Sequence, residues 1–186
     1  MVKGFFVILH TKTVKMTKDQ LNTNEYHPYY QLYIDKVDVL DLIEGLKQNG
    51  ERVLSFLESV PEDIYDFAYA EGKWTLKELI QHVIDTERIF TYRALSFARK
   101  EKTPLPGYNE NDYALTSDAN RRSKQSLLFE LKVLRQATVI LYESFTEDML
   151  LQIGNASTSN VSVRAIGFIL IGHENHHCQI IKERYL

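Results

Sequence analysis

The chain has 186 residues, 44% of them hydrophobic and 25% charged, with a formal net charge of −3 at pH 7. That suits one globular domain with its own core, and the lack of a basic stripe excludes a nucleic-acid partner. The single cysteine, Cys178, excludes an intrachain disulfide and fits a reducing, cytoplasmic setting.

No window reaches the ~20 apolar residues of a membrane span. The run Phe5-Phe6-Val7-Ile8-Leu9 is too short for a signal-peptide core, and no small-residue cleavage site follows it. Met16 opens a polar stretch, so residues 1–15 read as an upstream start or an appendage.

The four prolines, Pro28, Pro61, Pro104 and Pro106, punctuate a chain of helical periodicity. A first helix is expected over 37–59, with Ile43, Leu46, Val53 and Leu57 on one face. A second, over 75–99, opens with a Thr75/Glu78 capping box and carries Leu76, Leu79, Ile80, Val83, Phe90 and Phe97. The third, over 123–145, repeats Leu127, Leu131, Leu134 and Leu141. The fourth, over 161–183, offers Ile166, Ile169, Leu170, Ile180 and Ile181. Four such stripes predict an all-α four-helix bundle. The connection over 100–122 is long enough to suggest a functional loop.

Three of the six histidines fall in His173-Glu174-Asn175-His176-His177. His173 and His177 stand one turn apart on the fourth helix's apolar stripe, where two inward imidazoles suit one metal ion. His82, the other histidine inside a predicted helix, is the best third ligand. His10 and His27 lie in the N-terminal stretch, and His176 points away from its neighbours. Three imidazoles leave coordination positions open, and nitrogen ligands suit zinc and nickel alike.

The same window spells the H-E-x-x-H of zinc peptidases, with Glu174 as base. Context argues against that reading, because a third ligand normally follows and only residues 178–186 remain. Glu174 lies off the stripe and reads as a charged flank. Glu87 falls mid-stripe on the second helix, where an uncompensated carboxylate is costly. It reads either as a group supporting the site or acting as acid/base, or as an ion pair with Arg135 or Arg164. Asp85 faces solvent, and Cys178 is inert packing.

These residues resemble the DinB-like superfamily, in the branch that holds YfiT-type metal hydrolases and bacillithiol or mycothiol S-transferases. The resemblance runs from Tyr26 to Tyr185. It rests on Tyr69-Ala70-Glu71-Gly72-Lys73-Trp74-Thr75, His82-Val83-Ile84-Asp85-Thr86-Glu87-Arg88 and Tyr92-Arg93-Ala94-Leu95-Ser96-Phe97-Ala98-Arg99. Pro104-Leu105-Pro106-Gly107-Tyr108 and Gly172-His173-Glu174-Asn175-His176-His177 complete it. Residues 1–25 then read as an N-terminal extension to a domain over 26–186. The resemblance implies an up-down-down-up bundle, often a homodimer, with a divalent metal on His82, His173 and His177. It implies a metal-dependent enzyme that moves a low-molecular-weight thiol onto a small electrophile. The alternatives are a hydrolase that activates water, and a non-catalytic metal-binding stress protein.

Overall fold

The computed structural model describes residues 15–186, so the Phe5–Leu9 run and His10 lie outside it. The chain forms α1 (Gln31–Ile34), α2 (Leu42–Ser59), α3 (Leu76–Ala98), α4 (Glu110–Thr116), α5 (Lys124–Glu143) and α6 (Glu147–Leu150). A hairpin of β1 (Ile153–Ala156) and β2 (Ser159–Ser162) then leads into α7 (Val163–Arg184). The four long helices correspond to the four periodic stripes, and the two-stranded hairpin is a minor addition.

Local chemistry sets the starts of the long helices. Asp41, Thr75, Ser123 and Ser162 each sit in extended conformation and accept from a backbone N–H three residues on. The Thr75/Glu78 capping box is present. The first helix begins at Leu42 rather than 37, because Asp41 caps there. The fourth begins at Val163, because 159–162 pair as a strand. Two signals hid that strand: it is four residues long, and its turn uses Ser157 and Thr158 at φ 53° and 67°, where glycine or asparagine is usual.

Side-chain pairs fix the direction of each helix. Lys47 meets Glu143, and Lys124 donates to the Val60 carbonyl, so α2 and α5 run antiparallel. Arg122, just before α5, reaches Gln81, and Arg135 further on meets Glu87, so α3 and α5 run parallel. Asn49 meets Glu174 partway along both α2 and α7, and Leu42 lies against Gly167 near their starts, which makes those two parallel. Tyr185 at the end of α7 reaches Trp74 before α3. The order is therefore up-down-down-up, with α2 and α3 on a diagonal rather than side by side.

Helix α7 is buried along almost all of Val163–Glu174, so it is a central helix with no solvent face there. Gly172 lets α1 cross it closely: a Cβ at that position would lie 1.9 Å from the Tyr33 carbonyl oxygen.

Residues 16–25 are packed onto the bundle, although the sequence reading set them in an extension. Met16 is buried and its carbonyl accepts from the Leu42 N–H. Glu25 is buried too, and accepts from Ser162 Oγ at 2.7 Å and Arg164 Nε at 2.8 Å. A carboxylate withdrawn from water is held ionised by such charged donors. Its carboxyl is lowered to about 2, where Arg164, Asn22 and Ser162 outweigh the opposing effect of burial.

Candidate metal centre

His82 projects from α3, and His173 and His177 from one face of α7. Helices α3 and α7 pack side by side, which brings the three rings together. Nε2 of His173 lies 3.1 Å from Nε2 of His82 and 3.0 Å from Nε2 of His177. All three residues are buried, with 5–9% of their surface exposed.

Burial decides their protonation. It pushes His82 down to about 4 and holds His173 and His177 well below the ordinary histidine value, with mutual repulsion adding to the last two. At neutral pH the rings are uncharged, and a neutral imidazole carries only one N–H. Three Nε2 atoms facing one point cannot all be satisfied by hydrogen bonds to each other. Metal–nitrogen bonds of about 2.0–2.1 Å place neighbouring ligand atoms about 3 Å apart, so the spacing fits a shared cation.

The surroundings hold the rings in place. Trp74 lies against His82 with ring centroids 4.9 Å apart, and Tyr33 meets His173 edge-on at 5.2 Å. The imidazoles form part of the lining of a cavity of about 350 Å³ with Trp74, Tyr33, Tyr108, Arg93 and Glu110. Tyr108 comes from the long α3–α5 connection, and its hydroxyl is 2.8 Å from Thr86 Oγ1. Trp74 and Arg93 stand in the motifs that carry the resemblance, but they and Tyr33 have no site role in the sequence, because isolated aromatic and basic residues carry no spacing signal.

The remaining candidates lie elsewhere. Glu87 faces away from the cavity and binds Arg135 with both oxygens, at 2.9 and 3.0 Å. Arg164, the other partner considered for it, pairs with Glu25 instead. Glu174 is not the solvated flank expected from its helical angle. It is 3% exposed, 2.9 Å from Arg135 and 2.8 Å from Asn49 Nδ2. That expectation assumed a solvent face that α7 lacks at this level.

His176 is half-buried beside Tyr33 and outside the trio. Nδ1 of His27 accepts from the Tyr29 N–H at the start of a short helical turn. Asp85 accepts from Gln81 Nε2 and is pushed up by burial. Burial also pushes the Cys178 thiol up to about 12, which makes it a poor nucleophile.

Comparison with known proteins gives consistent results. A family model of the DinB superfamily matches residues 46–181. A protein of Oceanobacillus iheyensis named "Putative metal-dependent hydrolase" is 27% identical over 153 residues, spanning 80% of this chain and 87% of its own. A Bacillus cereus protein of the same description is 25% identical over 136 residues, spanning 73% and 78%. Among solved structures, YfiT from Bacillus subtilis, described as "a probable metal-dependent hydrolase with an unusual four-helix bundle topology", aligns with a TM-score of 0.67. That alignment has 17% identity and covers 88% of this chain and 90% of the other.

Proposed function

The chain belongs to the DinB superfamily, and on that premise we propose that it is a metal-dependent enzyme acting on small molecules in the histidine cavity. The observation that carries this reading is the convergence of three buried, neutral imidazoles at the wall of a cavity. Nε2 of His173 lies 3.1 Å from that of His82 and 3.0 Å from that of His177. His82, His173 and His177 would hold one divalent ion, zinc or nickel. Such an ion, with positions left open, supplies Lewis acidity and lowers the pKa of a coordinated nucleophile.

The chain's own residues do the rest. Burial keeps the ligands deprotonated, Trp74 and Tyr33 fix two ring planes, and Tyr108 forms part of the wall. In this reading the nucleophile is a low-molecular-weight thiol, transferred to a small electrophile. The cavity is roomy enough for a bound small molecule and has an aromatic wall that removes water from it. Hydrolysis is the second reading. Glu110 favours it, as the single carboxylate lining the cavity and an acceptor for a proton from water.

Metal content and spectroscopy test both. His173→Ala and His177→Ala should abolish stoichiometric metal, His82→Ala should weaken it severely, and His176→Ala should leave it. Unchanged metal in the first two variants would overturn the centre. In cobalt-substituted protein a coordinating thiol adds a sulfur-to-metal charge-transfer band. If bacillithiol, mycothiol, coenzyme A and glutathione all leave the spectrum unchanged, the thiol reading fails and hydrolysis replaces it.

A further inference from the structure

Three arginines are buried in the described residues, and two of them have carboxylate partners. Arg135 is paired with Glu87 and Glu174, and Arg164 with Glu25. The third is Arg93, 3% exposed, and none of the ion pairs among the described residues includes it. Residues 1–14 contain no aspartate or glutamate, so they hold no carboxylate partner for it either. A buried guanidinium without a counter-charge is expensive, and such groups are normally paired.

Its hydrogen bonding is also incomplete. Nη2 donates to the Pro106 carbonyl at 2.9 Å and to Ser157 Oγ at 3.1 Å. A further polar group close to the guanidinium among the described residues is the Tyr30 phenol, which Arg93 affects by charge and by hydrogen bonding, and a neutral phenol supplies no counter-charge. The guanidinium lies over the Phe90 ring at 5.1 Å, and Arg93 lines the cavity that holds the three histidines. It also lines an adjoining cavity of about 290 Å³, walled in part by the β1–β2 hairpin. Glu110 lines the histidine cavity but is exposed and forms no ion pair with Arg93.

We propose that Arg93 is an anion-binding subsite of the histidine cavity, which recognises a carboxylate or phosphate on the small molecule that reacts there. Nη2 is taken by Pro106 and Ser157, so Nε–H and Nη1–H are the donors left, each able to give an oxyanion one charge-assisted hydrogen bond. Helix α3 sets the distance. His82, Thr86, Phe90 and Arg93 share one face, and eleven residues at 1.5 Å each separate the end Cα atoms by about 16 Å. The arginine leans back over Phe90, one turn earlier, as helical side chains do. The oxyanion therefore sits on the order of 10 Å from the histidines. The substrate is elongated, with its charge at one end and its reacting atom at the other. This inference rests on the proposed function for the reacting end, but the anion contact itself needs no metal.

The test uses Trp74, the only tryptophan and part of the same cavity wall, as a fluorescence reporter in the full chain. Inorganic phosphate and succinate, titrated separately at constant ionic strength, distinguish the two oxyanion classes. Saturable binding of at least one is expected, both as purified and after chelator treatment. Arg93→Met should weaken it about tenfold to a hundredfold, the range for a hydrogen-bonded charge, while metal content stays unchanged. Binding to Arg93→Met within twofold of wild type, or no saturable binding of either anion to wild type, overturns the proposal. Should that variant not fold, Arg93→Gln decides: binding several-fold weaker supports recognition by the charge, and binding equal to wild type overturns it. Failure of the metal centre would appear as absent metal with anion binding intact. Failure of this inference would leave the metal in place.

Discussion

Lowering the pH from about 7.5 to about 5.5 in the presence of a chelator should destabilise the protein through His82, His173 and His177. Each is neutral in the folded chain because burial depresses its pKa, to about 4 for His82 and well below the ordinary value for the other two. In the unfolded chain each returns to a pKa near 6.5. Above that value neither state is protonated and the histidines add no pH dependence. Below it the unfolded state takes up protons that the folded state refuses, so stability falls, and the fall for His82 ends near pH 4. At about pH 5.5 protonation favours the unfolded chain by about 1.4 kcal/mol per histidine, or roughly 4 kcal/mol for three. That is a large share of the ~5–15 kcal/mol typical of a domain.

Other groups do not reverse this. Glu174 and Asp85 are raised by burial and gain stability as the pH falls, but Arg135 and Gln81 pull them back, and His176, lowered by burial, adds to the loss. Glu25, at about 2 in the fold, matters only below its ordinary value of 4.5. Urea unfolding followed by circular dichroism gives the free energy at each pH. His177→Leu should reduce the pH slope by about one proton between pH 5 and 6.5. A midpoint that stays constant or rises on acidification, or an unchanged slope in the variant, would refute the argument that the rings are buried neutral.

Two further outcomes follow from the interior. Arg135→Met leaves Glu87 and Glu174 buried without their cation and should cost about 3–5 kcal/mol in urea unfolding, whereas a loss under about 1 kcal/mol would mean that water reaches both carboxylates. Gly172→Ala drives a methyl into the Tyr33 backbone and should cost about 1–3 kcal/mol or more while loosening metal binding through Tyr33 and His173; wild-type stability and wild-type affinity together would contradict that contact.

Much of this was legible in the sequence, for identifiable reasons. The long helices announce themselves because each buries a stripe and starts at a capping side chain, as Thr75 and Glu78 do. The histidine trio was readable because His173 and His177 share a helical face and His82 was the one helical histidine left. Glu174 was misread because a stripe argument assumes a solvent side, and α7 is enclosed beside Arg135 and Asn49. Arg93, although part of a quoted motif, had no legible role, because arginine on a helix is ordinary until its surroundings are known to lack a carboxylate. The anchoring of Glu25 depends on Ser162 and Arg164, a distance over which local patterns carry no information.

That anchoring has a consequence for the order of events during synthesis. Glu25 and Arg164 are 139 residues apart in the chain. At roughly 5–20 residues per second, Glu25 waits on the order of 10 s for its partner to be made. During that interval α2, α3 and α5 can be completed and Met16 can meet Leu42, yet Glu25 has no cation to close upon. Helix α7 then delivers Arg164, Glu174 and two of the three histidines together. The N-terminal clasp, the interior ion pair and the histidine cluster thus share one late event, and the proposed metal site is complete only once α7 has been made.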